Sequence, residues 1–226
     1  MLDGRRAWAY VAAMMSAQGT PDPIAAARSD LLVEVASALI AELGIDGLTI
    51  RAVLARSGLA RRAFYESFES KEDLVLAVFA RTIAGATLLF AQQAAALTSP
   101  LARIELIVTG IVIGRGADDA EVLSQGDRRS AALSREHLRL GESRPEALQA
   151  ALAPLLALIA RFVAAGIAAG EVRSGDPDRL AGLIYNLVST TMHQELRAAA
   201  SCPPDPARRL DLARDIWDFC RRAIAA

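Results

Sequence analysis

Between Leu48 and Leu74 the chain reads LTIRAVLARSGLARRAFYESFESKEDL, and a single glycine in this stretch constrains the fold most. Gly58 supplies the left-handed backbone that ends one helix and allows a sharp turn. Ahead of it, Thr49 is placed to cap a first turn through its hydroxyl. Ile50, Val53 and Leu54 then recur at i, i+3 and i+4, the spacing of one apolar helix edge. After the turn a second helix begins near Ala60 and buries Phe64 and Phe68, with Leu59 in the elbow. Arg61, Arg62 and Tyr65 fall on the opposite side. Two short helices joined by a glycine turn, with an arginine pair opening the second, predict a helix-turn-helix.

The run Gly58-Leu59-Ala60-Arg61-Arg62-Ala63-Phe64-Tyr65-Glu66-Ser67-Phe68, followed by Ser70-Lys71-Glu72-Asp73-Leu74, resembles the DNA-binding signature of TetR-family transcriptional regulators. In that family a capping Thr opens the first helix, a Tyr and a Phe close the second, and a Lys opens the next. Thr49, Tyr65, Phe68 and Lys71 stand in those places. The resemblance covers residues 24–75; beyond it the chain is similar to the family only in being helical. Three positions depart from the pattern. Ala60 stands where a Ser or Thr cap is usual, which removes one capping bond of about 1 kcal/mol. Ser67 replaces a His or Tyr that reaches a phosphate, and Leu54 replaces a small Ala between the two helices.

The resemblance implies an all-α protein with an N-terminal three-helix DNA-binding domain and a C-terminal helical ligand-binding and dimerisation domain. Its partners would be a double-stranded DNA operator, a second copy of the chain and a small-molecule effector, with no cofactor. Arg61 and Arg62 are candidates for base edges or phosphates; a bidentate Arg on guanine is the commonest specific major-groove contact. Thr49, Arg51, Tyr65, Ser67 and Lys71 are candidates for phosphate, which sets register without reading sequence. The family dimerises through its last two long helices. Here these offer Leu180, Leu183, Ile184, Leu187 and Val188 on one and Ile216 and Phe219 on the other, faces that equally suit packing within one subunit. Gln92, Thr109, His137, Arg161, Asn186 and Thr190 are polar residues inside apolar patterns. They are candidates to orient an effector, and each also suits a structural role.

Composition narrows the alternatives. Hydrophobic residues make up 53% of the 226 and aromatics 5%, with Ala abundant, a mix that favours packed helices. The formal net charge of -1 excludes a uniformly basic nucleic-acid coat. Locally the balance differs: Arg51, Arg56, Arg61, Arg62 and Lys71, the only lysine, stand against Glu66 and Glu69. Cys202 and Cys220 suggest neither a disulfide framework nor metal-ligand spacing, and point to a reducing cytoplasm. Arg5 and Arg6 before the apolar run Ala7–Ala17 superficially resemble a signal peptide, but a DNA-reading motif has no use outside the cell. No membrane span is expected, because the most apolar stretch, Ala147–Ala169, carries Pro154 and a central Arg161. No enzyme is expected either. Neither His137 nor His193 accompanies a nucleophile motif, phosphate-cradling glycine loops are missing, and His193 and Glu195 face different sides of a helix.

Three segments follow: an extension with linker at 1–23, the helix-turn-helix domain at 24–75, and an effector and dimerisation domain at 76–226. In the first, Trp8, Val11 or Ala12, and Met15 share one side of a short helix that could pack on the DNA-binding domain, lie near the minor groove, or be disordered. In the second, Ile24–Leu43 carries Leu31, Leu32, Val35, Leu39 and Leu43 at helical period and stops at Gly44. A helix from Glu72 towards Ile83 follows. Further spans are expected at Thr82–Leu97, Pro100–Arg115, Asp118–Leu140, Pro145–Ala169, Asp176–Arg197 and Asp205–Ala225, with a break at Gly141-Glu142-Ser143. A helix-turn-helix protein without a small-molecule effector, acting in chromosome organisation or through a protein partner, is the alternative.

Overall fold

Leu32, Val33, Val35, Ala36, Leu39 and Ile40 form the buried arc of α1, Pro23–Gly47. Leu31 and Leu43, expected on the same stripe, are exposed. Leu31 falls at the margin of the arc, and Leu43 lies in the last turn before the backbone breaks. That break is at Gly44, where φ is 73°, and one more helical turn follows before the buried Leu48. The computed structural model describes residues 23–114, 133–134, 136–198 and 205–226. The expected N-terminal helix with Trp8 and Met15, the start of the Asp118–Leu140 span and the break at Cys202-Pro203-Pro204 lie outside the described residues.

The chain divides into two compact units, one formed by residues up to Gly85 with Arg128–Ala151, the other by Ala86–Asp127 with Leu152–Ala226. One boundary between these units, after Gly85, falls inside a helix. In the first unit α1 packs against α2, Ile50–Ser57, and α3, Arg61–Ser67. Helix α4, Lys71–Ala94, opens on a reciprocal cap: Asp73 N donates to Ser70 Oγ at 3.1 Å and Ser70 Oγ donates back to the Asp73 carboxylate at 2.7 Å. It is one helix, where two were expected to meet near Thr82. Thr82 returns its hydroxyl to Val78 O at 2.9 Å, and Gly85 stays helical, so nothing there interrupts the backbone ladder.

Residues 136–143 form α6, after α5, Pro100–Ile113. The break expected at Gly141-Glu142-Ser143 occurs instead at Arg144, because Pro145 disfavours the α region in the residue before it. Arg144 O then accepts from Leu148 N at 3.0 Å as α7, Pro145–Ala168, begins.

In the second unit α5 is packed by α8, Pro177–Ala198, and by α9, Pro206–Ile224, which also meet each other. Ser99 caps α5, and Glu171 reaches the same turn, accepting from Ser99 Oγ at 2.6 Å and from Leu101 N at 3.3 Å. An isolated bridge between Val172 and Ala225 ties the loop after α7 to the end of α9; no strand occurs among the described residues. By length and composition α4 and α7 are apolar enough to cross a bilayer, the latter despite Pro154 and Arg161, and half of each apolar window is buried in protein.

Candidate nucleic-acid interface

The two short helices are fixed from below. Thr49 Oγ1 accepts from Ala52 N at 3.1 Å and starts α2; Gly58, at φ 70°, ends it by donating to Leu54 O at 3.0 Å. Val53, Phe64 and Leu48 are fully buried, and Phe68, just past the end of α3, is nearly so. Phe64 meets Tyr65 edge-on at 5.3 Å and Phe68 at 5.9 Å between ring centres. The packed phenyl side of α3 leaves Arg61, Arg62, Tyr65 and Glu66 exposed on the other. As the departure from the family pattern implied, α3 starts at Ala60 without a side-chain cap.

The four exposed side chains of α3 all have partners. Arg61 Nη2 donates to the Tyr65 hydroxyl at 3.4 Å, with its guanidinium 5.5 Å from the ring centre; that hydrogen bond holds the Arg61 pKa above its ordinary value. Arg62 Nε donates to Glu66 Oε1 at 2.9 Å. Arg28, from α1, brings Nη1 within 3.6 Å of Glu66 Oε2. On α2, Arg56 forms a two-pronged pair with Glu42, at 2.5 and 2.7 Å, whose hydrogen bond lowers the carboxyl pKa. Thr49 and Arg51 are exposed. Ser67 and Lys71 are half-buried and donate to main-chain oxygens, Ser67 to Ala63 O at 3.3 Å and Lys71 Nζ to Ile45 O at 3.3 Å. Of the seven expected DNA-contacting residues, these two are half-buried; Thr49, Arg51, Arg61, Arg62 and Tyr65 are at the surface. A helix presenting guanidinium donors from one face is of a size to enter the B-DNA major groove, about 12 Å wide.

Immediately after Lys71, two carboxylates hold the α6–α7 junction. Glu72 accepts from Arg139 Nη2 at 3.1 Å, and Asp73 is paired with Arg144. The Glu72 pKa is lowered first by its own backbone N–H and then by Arg139 and Lys71. Burial pushes the Asp73 pKa up, but the hydrogen bonds from Arg144 and Ser70 more than offset it, and the net shift is down. Asp46, Lys71, Glu72, Glu136 and Arg139 line a small hollow of about 70 Å³. It contains none of the six residues singled out for an effector.

Those six are not brought together by either unit. His137 belongs to the first, its ring 5.8 Å from that of Phe79; the other five belong to the second. Gln92, Arg161, Asn186 and Thr190 are exposed, and Thr109 returns its hydroxyl to Glu105 O at 2.7 Å. The apolar residues of α8 and α9 divide between core and surface. Leu180, Ile184, Val188 and Ile216 are buried within the protomer's own core, and Leu187 is half-buried. Leu183, 57% exposed, and Phe219, 65% exposed, are the residues that face outward. Sequence reasoning missed Glu66 and Arg28. The Arg62–Glu66 spacing of four was legible as a helical ion pair, whereas nothing in the sequence pairs either with Arg28.

Residues 32–78 match the family described as "Bacterial regulatory proteins, tetR family". No curated protein sequence matches the chain significantly. Among solved structures, RolR in complex with resorcinol is similar at a TM-score of 0.65 and 16% identity, over 88% of each chain. The regulator FadR from Bacillus subtilis, in complex with stearoyl-CoA, is similar at 0.64 and 14%, over 84% of this chain and 96% of that one. A TetR-family transcriptional regulator from Agrobacterium tumefaciens is similar at 0.59 and 20%, over 89% and 100%. At these identities the structural likeness is one of fold. The family match falls on the helix-turn-helix itself, residues 32–78, and the likeness of fold to TetR-family structures extends along most of the chain.

Proposed function

We propose that the protein binds a palindromic operator as a homodimer, represses transcription from it, and releases it when a small molecule binds the helical domain, 76–226. The observation that carries this reading is the outward face of α3, where Arg61, Arg62 and Tyr65 are exposed above a packed phenylalanine floor. One such helix reads only a few base pairs, so two related by a twofold axis suit a palindrome with half-sites about a helical turn or more apart. Leu183 and Phe219, exposed on two helices that pack together, support pairing with a second copy through α8 and α9. That structures of similar fold are complexes with resorcinol and stearoyl-CoA supports a small-molecule effector. A ligand shifts the balance only by its difference in affinity for the two states. A protein that reads DNA in this way works in the cytoplasm.

The test is selection of bound sequences from random duplex DNA by the full-length protein, with sedimentation of wild type and of the Leu183→Glu, Phe219→Glu variant. The expected result is an enriched inverted repeat bound by a dimer that the variant separates while keeping its helical content. Absence of any enriched sequence overturns the reading; a monomeric wild type overturns its dimeric part.

A further inference from the structure

Glu66 is out of place on a surface meant for a polyanion. It shares the exposed face of α3 with both arginines, and a carboxylate there weakens the attraction to phosphate on which binding depends. Both of its oxygens lie near cations: Oε1 accepts from Arg62 Nε at 2.9 Å, and Oε2 lies 3.6 Å from Arg28 Nη1. The trio Arg28–Glu66–Arg62 keeps a charge of one plus, so Glu66 does not leave the surface acidic.

What Glu66 does to Arg62 follows from the shape of a guanidinium. Its donors form a rigid planar fork, and a bidentate contact with guanine O6 and N7 requires two neighbouring donors together. With Nε engaged by Oε1, the terminal pair, Nη1 and Nη2, is left to make such a contact, on a side chain that is 90% exposed. Arg61 is arranged the other way: one of its terminal nitrogens already donates to Tyr65. Resting on the DNA-reading function proposed above, we propose that Arg62 is the principal base reader, that Glu66 is its positioning residue, and that Arg28 is the counter-charge that makes a carboxylate tolerable there. The base it selects is guanine. An exposed pair of this kind is weak in water, and it strengthens as the duplex excludes solvent around it.

The experiment uses the full-length protein and two duplexes, the selected operator and the same operator with the preferred guanine exchanged in each half-site. Wild type, Arg62→Ala, Glu66→Ala, Glu66→Gln and the double alanine variant are compared across a salt series. Arg62→Ala and Glu66→Ala are expected to lower the preference at the same position, each on the order of tenfold. Glu66→Gln, which keeps an oxygen acceptor for Nε, retains most of the preference, and the double variant loses no more than Arg62→Ala alone. Binding to random duplex is unchanged or tighter in Glu66→Ala, because an anion has been removed. A Glu66→Ala variant that shifts affinity for all duplexes equally, with the preference intact, overturns the proposal and makes Glu66 a bulk charge. Loss of preference at a different position from Arg62→Ala overturns it too. A wild type with no preferred sequence is a separate outcome: it sinks the DNA-reading function and this inference with it.

Discussion

In the first unit the candidate reading surface rests on helices of eight and seven residues, packed on the longer α1; in the second, α5, α8 and α9 run to between 14 and 22 residues. Helices as short as α2 and α3 are unstable alone. Their residues therefore carry individual local roles, in which Thr49 caps, Gly58 turns, and Val53 and Phe64 anchor. In the second unit α5 and α7 are long and apolar, and many of their positions ask only for a residue of suitable size. A short element depends on the identity of its residues; a long one depends on their pattern and on a few points of close approach.

The largest effect should come from the anchor. Phe64→Ala removes a fully buried ring and should destabilise the first unit by about 3–5 kcal/mol. Chemical denaturation followed by circular dichroism measures it; a loss near zero would mean that the floor beneath α3 carries no load, and the contrast between the units fails.

The second unit's sensitivity should lie where its helices come close. A Cβ at Gly110 would sit 2.5 Å from the Phe90 ring. Overpacking of about 1–3 kcal/mol then competes with a helix-propensity gain of about 1 kcal/mol, so Gly110→Ala should lower stability by about 1 kcal/mol. As a control at the end of the first unit, Gly85, with nothing within 4 Å of its would-be Cβ, should raise stability by up to about 1 kcal/mol when changed to Ala. Thermal melts of the two variants, and of Gly110→Ala combined with Phe90→Leu, sharpen the contrast, since the smaller residue should remove the penalty.

The smallest effect is electrostatic and belongs to the first unit. The Asp73 carboxyl is held below its ordinary pKa, so its contribution is present above about pH 4 and is lost as pH falls through the folded value. Asp73 and Arg144 are partly exposed, so the contribution should stay below about 1 kcal/mol. Arg144→Gln should melt earlier than wild type at pH 7, and the gap should close towards pH 3. A gap that is constant with pH would assign the loss to packing by the arginine stem.

The helix-turn-helix was legible from its punctuation: Thr49, Gly58 and the Phe64–Phe68 spacing locate both helices to within a residue or so. The join in α4 was not. Thr82 and Gly85 read as weak helix formers, but the one returns its hydroxyl to the previous turn and the other stands open without disturbing the ladder. Local propensity also hid the break at Arg144, which belongs to the proline after it. On α8 and α9 the period separated apolar from polar faces but could not divide the apolar residues between core and surface. Val188 is fully buried and Leu183 is largely exposed, and that difference depends on where α5 and α9 lie. Arg28 is the same lesson at the candidate interface, since its neighbour Glu66 is reached only through the packing of α1 on α3.

Glu171 completes the opening turn of α5 from some 70 residues downstream. That turn cannot gain this partner while the intervening chain is still being assembled. The contact therefore closes a long loop, and it carries an ordering cost that the local cap from Ser99 does not.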